Sequence, residues 1–238
     1  MNIHRFSTDI LAFKTAISLN KSFKACGGKP FLFLSSGGSS LSTLEHIDTD
    51  LFTIRSTLAV LDERHSHDPE VNNLAQIEKT LFYKKIRDNG CHIIDTRPLK
   101  MESAEDVALR FEKQLREWAV THPNGIIIAS AGIGADAHTS GIMPYPEDHT
   151  FFSQTFDETT NWVASYDATG KNPHSLRVTT TFTFLRKINY TVLFMSGTAK
   201  ESALDKLLAP NGSLADSPCR IWREVENVEL FTDIQVSR

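Results

Sequence analysis

An aspartate and a histidine two residues apart, Asp136 and His138, lie in the glycine-spaced stretch Gly132-Ile133-Gly134-Ala135-Asp136-Ala137-His138-Thr139. A carboxylate at that spacing can orient or polarise the imidazole, and a ring that titrates near neutrality is suited to taking a proton from water. The competing reading is a histidine held in a loop network, with the aspartate capping a turn. The preceding run, Gly125 to Ala131, is apolar and rich in isoleucine, as a buried parallel strand would be, so the pair is expected at a strand's C-terminal end, where sites of open α/β sheets form.

Other polar clusters sit at similar junctions. Ser35-Ser36-Gly37-Gly38-Ser39-Ser40 follows the apolar run Phe31 to Leu34 and precedes Leu41, Leu44 and Ile47, which resume helical spacing. Such a turn can present backbone N–H groups to an anion, or be only a flexible connection; it is neither a dinucleotide fingerprint nor a P-loop. Asp62-Glu63-Arg64 closes the strand Thr57 to Leu61, where Arg64 offers a fork for a carboxylate, phosphate or hydroxyl and Asp62 a base or acceptor. An exposed ion-pair cluster is the alternative. Arg177 opens a strand at Val178, and Lys200 stands in the first turn of a helix after Gly197, so the two cations together read as a phosphate clamp. Singly, each reads as a surface charge. Lys171 is a weaker loop candidate, and His65-Ser66-His67-Asp68 lacks a third ligand at clear spacing, so a solvated loop is expected there and not a metal site.

The elements that must hold these residues alternate. Helices are expected after Ser7-Thr8-Asp9, over about Val71 to Asn89, between Glu102 and Thr121 with Ser103 and Asp106 as a capping box, and over Ala199 to Leu208. Strands are expected at Phe31–Leu34, Thr57–Leu61, Cys91–Asp95, Ile126–Ala129, Trp162–Tyr166, Arg177–Phe184 and Tyr190–Ser196, with an irregular stretch over 141–160 and a weakly alternating tail from Cys219 to Val236. This order predicts an α/β fold, a mostly parallel sheet with helices on both faces, without an internal domain boundary over 1–238.

With 238 residues, 40% hydrophobic and 23% charged, the chain has the composition of a globular enzyme with a sizeable core. A net charge of -4 with scattered Lys and Arg argues against nucleic acid as a partner. Three distant cysteines, Cys26, Cys91 and Cys219, point to a reducing, cytoplasmic setting, and the absence of a long apolar run argues against secretion and membrane insertion.

Taken in order, Ser36-Gly37-Gly38-Ser39-Ser40, Asp62-Glu63-Arg64, Gly132 to Thr139, Arg177-Val178-Thr179-Thr180-Thr181 and Gly197-Thr198-Ala199-Lys200 resemble the 6-phosphogluconolactonases, within the superfamily that includes glucosamine-6-phosphate deaminases. The likeness runs from about Lys29 to Pro218. It implies a single-domain, Rossmann-like, cofactor-free enzyme of the oxidative pentose phosphate pathway, hydrolysing 6-phosphogluconolactone to 6-phosphogluconate. The partner it implies is a small-molecule sugar phosphate, with the chain a monomer or weak homo-oligomer. By position, His138 would be the general base and Asp136 its support. Ser36, Gly37, Gly38, Ser39 and Arg64 would hold the sugar and the developing oxyanion, with Asp62 beside them, and Arg177 and Lys200 would hold the phosphate.

The chain departs from the family pattern at several points. Ala137 stands where glycine is usual, at a cost of about 1 kcal/mol if that position has positive φ. Ser40 replaces a proline, and Gly141-Ile142-Met143-Pro144 replaces Ser-Leu-Phe-Pro, which predicts a reshaped pocket wall. Met143 occupies the position where the deaminases place a glutamate, which favours lactone hydrolysis over ring-opening chemistry. The alternatives are a non-catalytic sugar-phosphate-binding protein and a deaminase or isomerase.

Overall fold

Alternation of apolar side chains along the central strands sends successive residues to opposite faces, and both faces are buried. A computed structural model describes residues 1–235, so Val236 of the expected tail lies outside the described residues. The strands are β1 (Asn2–Arg5), β2 (Phe31–Ser35), β3 (Ser56–Val60), β4 (Asp62–Arg64), β5 (His92–Ile93), β6 (Ile126–Gly132), β7 (Val163–Asp167), β8 (Leu176–Thr180), β9 (Tyr190–Met195) and β10 (Val228–Thr232). The helices are α1 (Thr8–Ala25), α2 (Asn73–Glu78), α3 (Leu81–Asp88), α4 (Ala104–Thr121), α5 (His149–Phe152), α6 (Phe182–Leu185) and α7 (Glu201–Leu208).

Seven strands form a parallel sheet in the order β1-β10-β9-β6-β2-β3-β5, and β4-β8-β7 form a small antiparallel sheet. Phe31 and Phe33 of β2 pack with Leu11, Leu19 and Phe23 of α1 and with Phe82 and Ile86 of α3. Leu32 and Leu34, pointing the other way, pack with Val107, Phe111 and Leu115 of α4 and with Leu204 and Leu207 of α7. The fold is therefore α/β, with a Rossmann-like parallel sheet covered by helices on both faces. Because β3 lies on one side of β2 and β6 on the other, the chain reverses its winding at the β2/β6 boundary, and the loops after these strands diverge to leave a crevice.

Local chemistry explains where elements depart from the sequence expectations. The helix expected over 71–89 is two helices, because Thr80 turns its hydroxyl to the Tyr83 N–H and caps α3. The strand expected over 177–184 stops at Thr180, and the next residues form α6, whose single turn buries Phe182, Phe184 and Leu185 together. Residues 38–46 form a 3-10 helix: Ser40, Ser42 and Thr43 donate their hydroxyls to carbonyls three residues back, which favours the tighter winding. The tail contributes β10 inside the sheet between β1 and β9, with Leu230 and Phe231 buried on opposite faces. Short helices over 149–157 interrupt the expected irregular stretch, and β1 has no counterpart in the expectations.

Candidate active site

β6 delivers the Asp136/His138 loop to the crevice and fixes it there. The Gly134 N–H donates to the His138 carbonyl (2.9 Å) and the Ala137 N–H to the Gly134 carbonyl (3.0 Å), closing a tight turn. Asp136 Oδ1 accepts the His138 backbone N–H (3.1 Å) and lies 2.5 Å from its Nδ1, which makes Nδ1 the donor and leaves the Nε2 lone pair free. Burial works against the Asp136 charge, but the His138 ring and backbone donors hold its carboxyl below the usual range, so it stays ionised. The ring lies over Gly134, where a Cβ would come within 2.1 Å of ring atoms, so only glycine admits this stacking. Beneath the loop, Trp222 Nε1 donates to Thr139 Oγ1 (2.9 Å), and that hydroxyl donates to the Gly132 carbonyl (2.8 Å), tying the turn to the core.

Ala137 has φ 74 and is fully buried, so the position does require the left-handed conformation, and alanine adopts it while keeping the turn closed. Gly141 has φ 70, and a Cβ there would lie 2.6 Å from the Asp62 carboxylate. A side chain at this position would clash with Asp62, whose carboxylate packs against the Gly141 main chain.

The small sheet supplies the cations. Its register sets Arg64 opposite Arg177 and Asp62 opposite Thr179, so two guanidinium groups share one face. Asp62 lies diagonally across and forms a buried ion pair with Arg177. Burial, and then Arg177 itself, lower the Arg64 pKa, which marks a position where positive charge is crowded. Arg64 donates to the Val71 carbonyl at 3.3 Å and makes no ion pair among the described residues. Lys200 likewise has no such partner, and burial lowers its pKa against the opposing pull of Asp233. On the third side, the opening of the 3-10 helix after β2 leaves its first N–H groups without partners inside the helix, at Gly37 to Ser39.

These elements enclose one cavity of about 190 Å³, lined by Ser36, Gly37, Gly38, Ser39, Asp62, Arg64, His138, Arg177 and Lys200. The volume lies below the roughly 300–1,000 Å³ of drug-sized ligand sites and suits a single small ring better than a dinucleotide. Nine of the ten residues singled out in the sequence thus line one cavity, and the tenth, Asp136, stands behind His138. Lys171 lies elsewhere, paired with Glu147 at 2.6 Å and stacked over Tyr145. His65 bonds the Glu102 carbonyl, and the described residues contain no metal-ligand cluster.

Two residues were missed. Asn73 lines the cavity and donates Nδ2 to the Asp62 carbonyl (2.9 Å) and carboxylate (3.4 Å). Glu63, fully buried, points away from the cavity between Asp62 and Arg64. The available signal was strand alternation: if Asp62 and Arg64 face a site, Glu63 must face the interior, where a carboxylate needs donors, and the Asn72-Asn73 helix start could supply them.

Fold and cavity define a doubly wound α/β protein with a small, cation-lined site at the sheet's switch point. The chain belongs to the family described as glucosamine-6-phosphate isomerases/6-phosphogluconolactonase, whose model matches residues 14–230. Similar solved structures include 6-phosphogluconolactonases from three organisms. That of Trypanosoma brucei is 18% identical with TM-score 0.77, covering 97% of this chain and 95% of its own. That of Shewanella baltica is 17% identical with TM-score 0.77, covering 98% and 96%, and that of Thermotoga maritima is 22% identical with TM-score 0.73, covering 97% and 98%. No curated protein matches the sequence. Among the described residues, no helix is long and apolar enough to cross a membrane.

Proposed function

We propose that the protein hydrolyses 6-phospho-D-glucono-1,5-lactone to 6-phospho-D-gluconate, as in the oxidative pentose phosphate pathway, without a cofactor. The observation that carries this reading is His138, held through Nδ1 by Asp136 with Nε2 free, on the wall of a cavity that also holds Arg64, Arg177 and Lys200. His138 takes a proton from water as the oxygen attacks the lactone carbonyl. The resulting alkoxide is met by Arg64 and the N–H groups of the Ser36–Ser39 loop. The ring C–O bond then breaks, and the departing ring oxygen takes the proton back from His138. Arg177 and Lys200 hold the phosphate, which turns remote binding energy into orientation at the carbonyl.

Met143 favours this chemistry over deamination, because it is fully buried and leaves no carboxylate at the position preceding Pro144. A lactonase needs one base and an oxyanion site, and both are accounted for. The protein is read as one domain over 1–238, and a cytoplasmic location accords with three free, buried cysteines.

Lactone hydrolysis by the wild type and by His138→Ala, followed as acid release above the spontaneous rate, tests the proposal. Loss of the base is expected to slow turnover by about 10²–10⁴-fold, and equal rates would reject His138 in that role. Ligand-dependent thermal stabilisation without turnover would instead identify a binding protein, and ammonia release from glucosamine 6-phosphate a deaminase.

A further inference from the structure

Glu63 is the most deeply buried carboxylate beside the cavity, yet it does not line it. Four donors converge on it. Oε1 accepts the backbone N–H groups of Arg64 (2.8 Å) and Asn73 (2.6 Å), and Oε2 accepts the Leu74 N–H (3.0 Å) and the Thr96 hydroxyl (3.0 Å). One side chain therefore ties together β4, the first turn of α2 and the segment after β5. Both ends of the tie matter to the site. Arg64 is a cavity residue, and Asn73, fixed through its own N–H, carries the amide that holds the main chain and carboxylate of Asp62. Asp62 in turn holds Arg177. Without the tie, the turn bearing Asn73 keeps only its own amide on Asp62 and the Arg64 bond to the Val71 carbonyl, and the Asp62–Arg177 pair loses part of its lateral support.

We propose that Glu63 is a positioning residue, a buried strut that acts through Asn73 and the Arg64 main chain to fix where Asp62, Arg64 and Arg177 stand in the cavity. This rests on the proposed function for the identity of the substrate, though not for the existence of the strut. The loop bearing Asp136 and His138 hangs on β6, outside the strut. Substitutions in the strut should therefore weaken ligand grip and leave the proton-transferring group in place.

The test uses Glu63→Gln, Thr96→Val and Thr96→Ser in the full chain. Glutamine keeps the size but turns an NH₂ toward donors. A misplacement of the cationic wall by a fraction of an ångström is expected to raise KM for the lactone about tenfold or more through Arg177, and to lower kcat by a smaller factor through Arg64, which meets the alkoxide. Thr96→Val, one bond further from the cavity, should shift KM in the same direction by a smaller factor, and Thr96→Ser, which keeps the hydroxyl, should restore it. Calorimetric titration with 6-phosphogluconate runs in parallel. If the wild type binds this probe but does not turn over lactone, the reading of function fails, and weaker binding by Glu63→Gln still upholds the strut. A purely architectural Glu63 would lower the melting temperature while KM and probe affinity stay at wild-type values in folded Glu63→Gln and Thr96→Val, and that result would overturn the proposal. Should Glu63→Gln not fold, the Thr96 pair decides.

Discussion

Replacing Arg177 by methionine removes a charge while keeping an unbranched chain of similar reach, and leaves the Asp62 carboxylate, 5% exposed, without its cation. Breaking a buried pair from one side typically costs 3–5 kcal/mol. Two features place this case near the lower end. Asn73 continues to donate to Asp62, and Arg64, relieved of its neighbour across the strands, can turn toward the carboxylate. The expected cost at neutral pH is about 3 kcal/mol, or roughly 6–12 °C in melting temperature for a chain of this length. Adding Asp62→Asn to Arg177→Met removes the stranded charge, so urea unfolding of the four proteins should give a double variant about 2 kcal/mol more stable than the summed single effects predict. Strict additivity would refute the view that the pair is a coupled unit. The double variant should still bind inorganic phosphate poorly, which separates stability from affinity.

Three further outcomes are expected. Asp136→Asn keeps an Oδ1 acceptor for the turn but loses the negative charge that holds Nδ1 protonated and stabilises the imidazolium, so lactone turnover should fall by about 10²-fold or more; unchanged turnover would show that Asp136 does not orient His138. Burial pushes the Glu63 carboxyl from 4.5 up to about 7, so the folded state keeps a proton that the unfolded chain releases. Its contribution is most favourable below pH 4.5 and is lost as the pH climbs through about 7. The stability of the wild type relative to Glu63→Gln should thus drop by about 3 kcal/mol over that span, and a pH-independent difference would contradict it. At Ala137, relief of left-handed strain offsets the lost methyl burial and the added chain entropy, so Ala137→Gly should change stability by less than about 1 kcal/mol. Ala137→Val adds a β-branch where φ is 74 and no space remains. It should cost about 2 kcal/mol or more, and a neutral valine would mean that the turn relaxes.

Much of the site was legible because chemistry and chain breaks coincide. Ser36 to Ser39, Asp62, Arg64 and His138 each follow an apolar run, and in a parallel sheet such ends lie side by side. The helix α4 was legible down to its capping box, since Ser103 and Asp106 act within four residues. What the sequence hides depends on distance. Asn73 lies eleven residues from Asp62, and its role exists only once α2 folds back on β4. The stop of β8 at Thr180 is set by the apolar pocket that receives α6, against an alternation that favours extension. The tail that holds β10 alternates only weakly, as an edge strand or a packing segment would, because five residues are too few for a two-sided pattern to stand out, and only its neighbours β1 and β9 reveal its interior place.

The pairing of β1 with β10 alone has a kinetic corollary. The residues of β1 stay unpartnered along that margin until Val228–Thr232 have been made, because their ladder partner comes so much later in the sequence. Closing so long a loop is entropically slow. Assembly of this border is thus a late event, and a nascent chain halted before Val228 keeps β1 undocked.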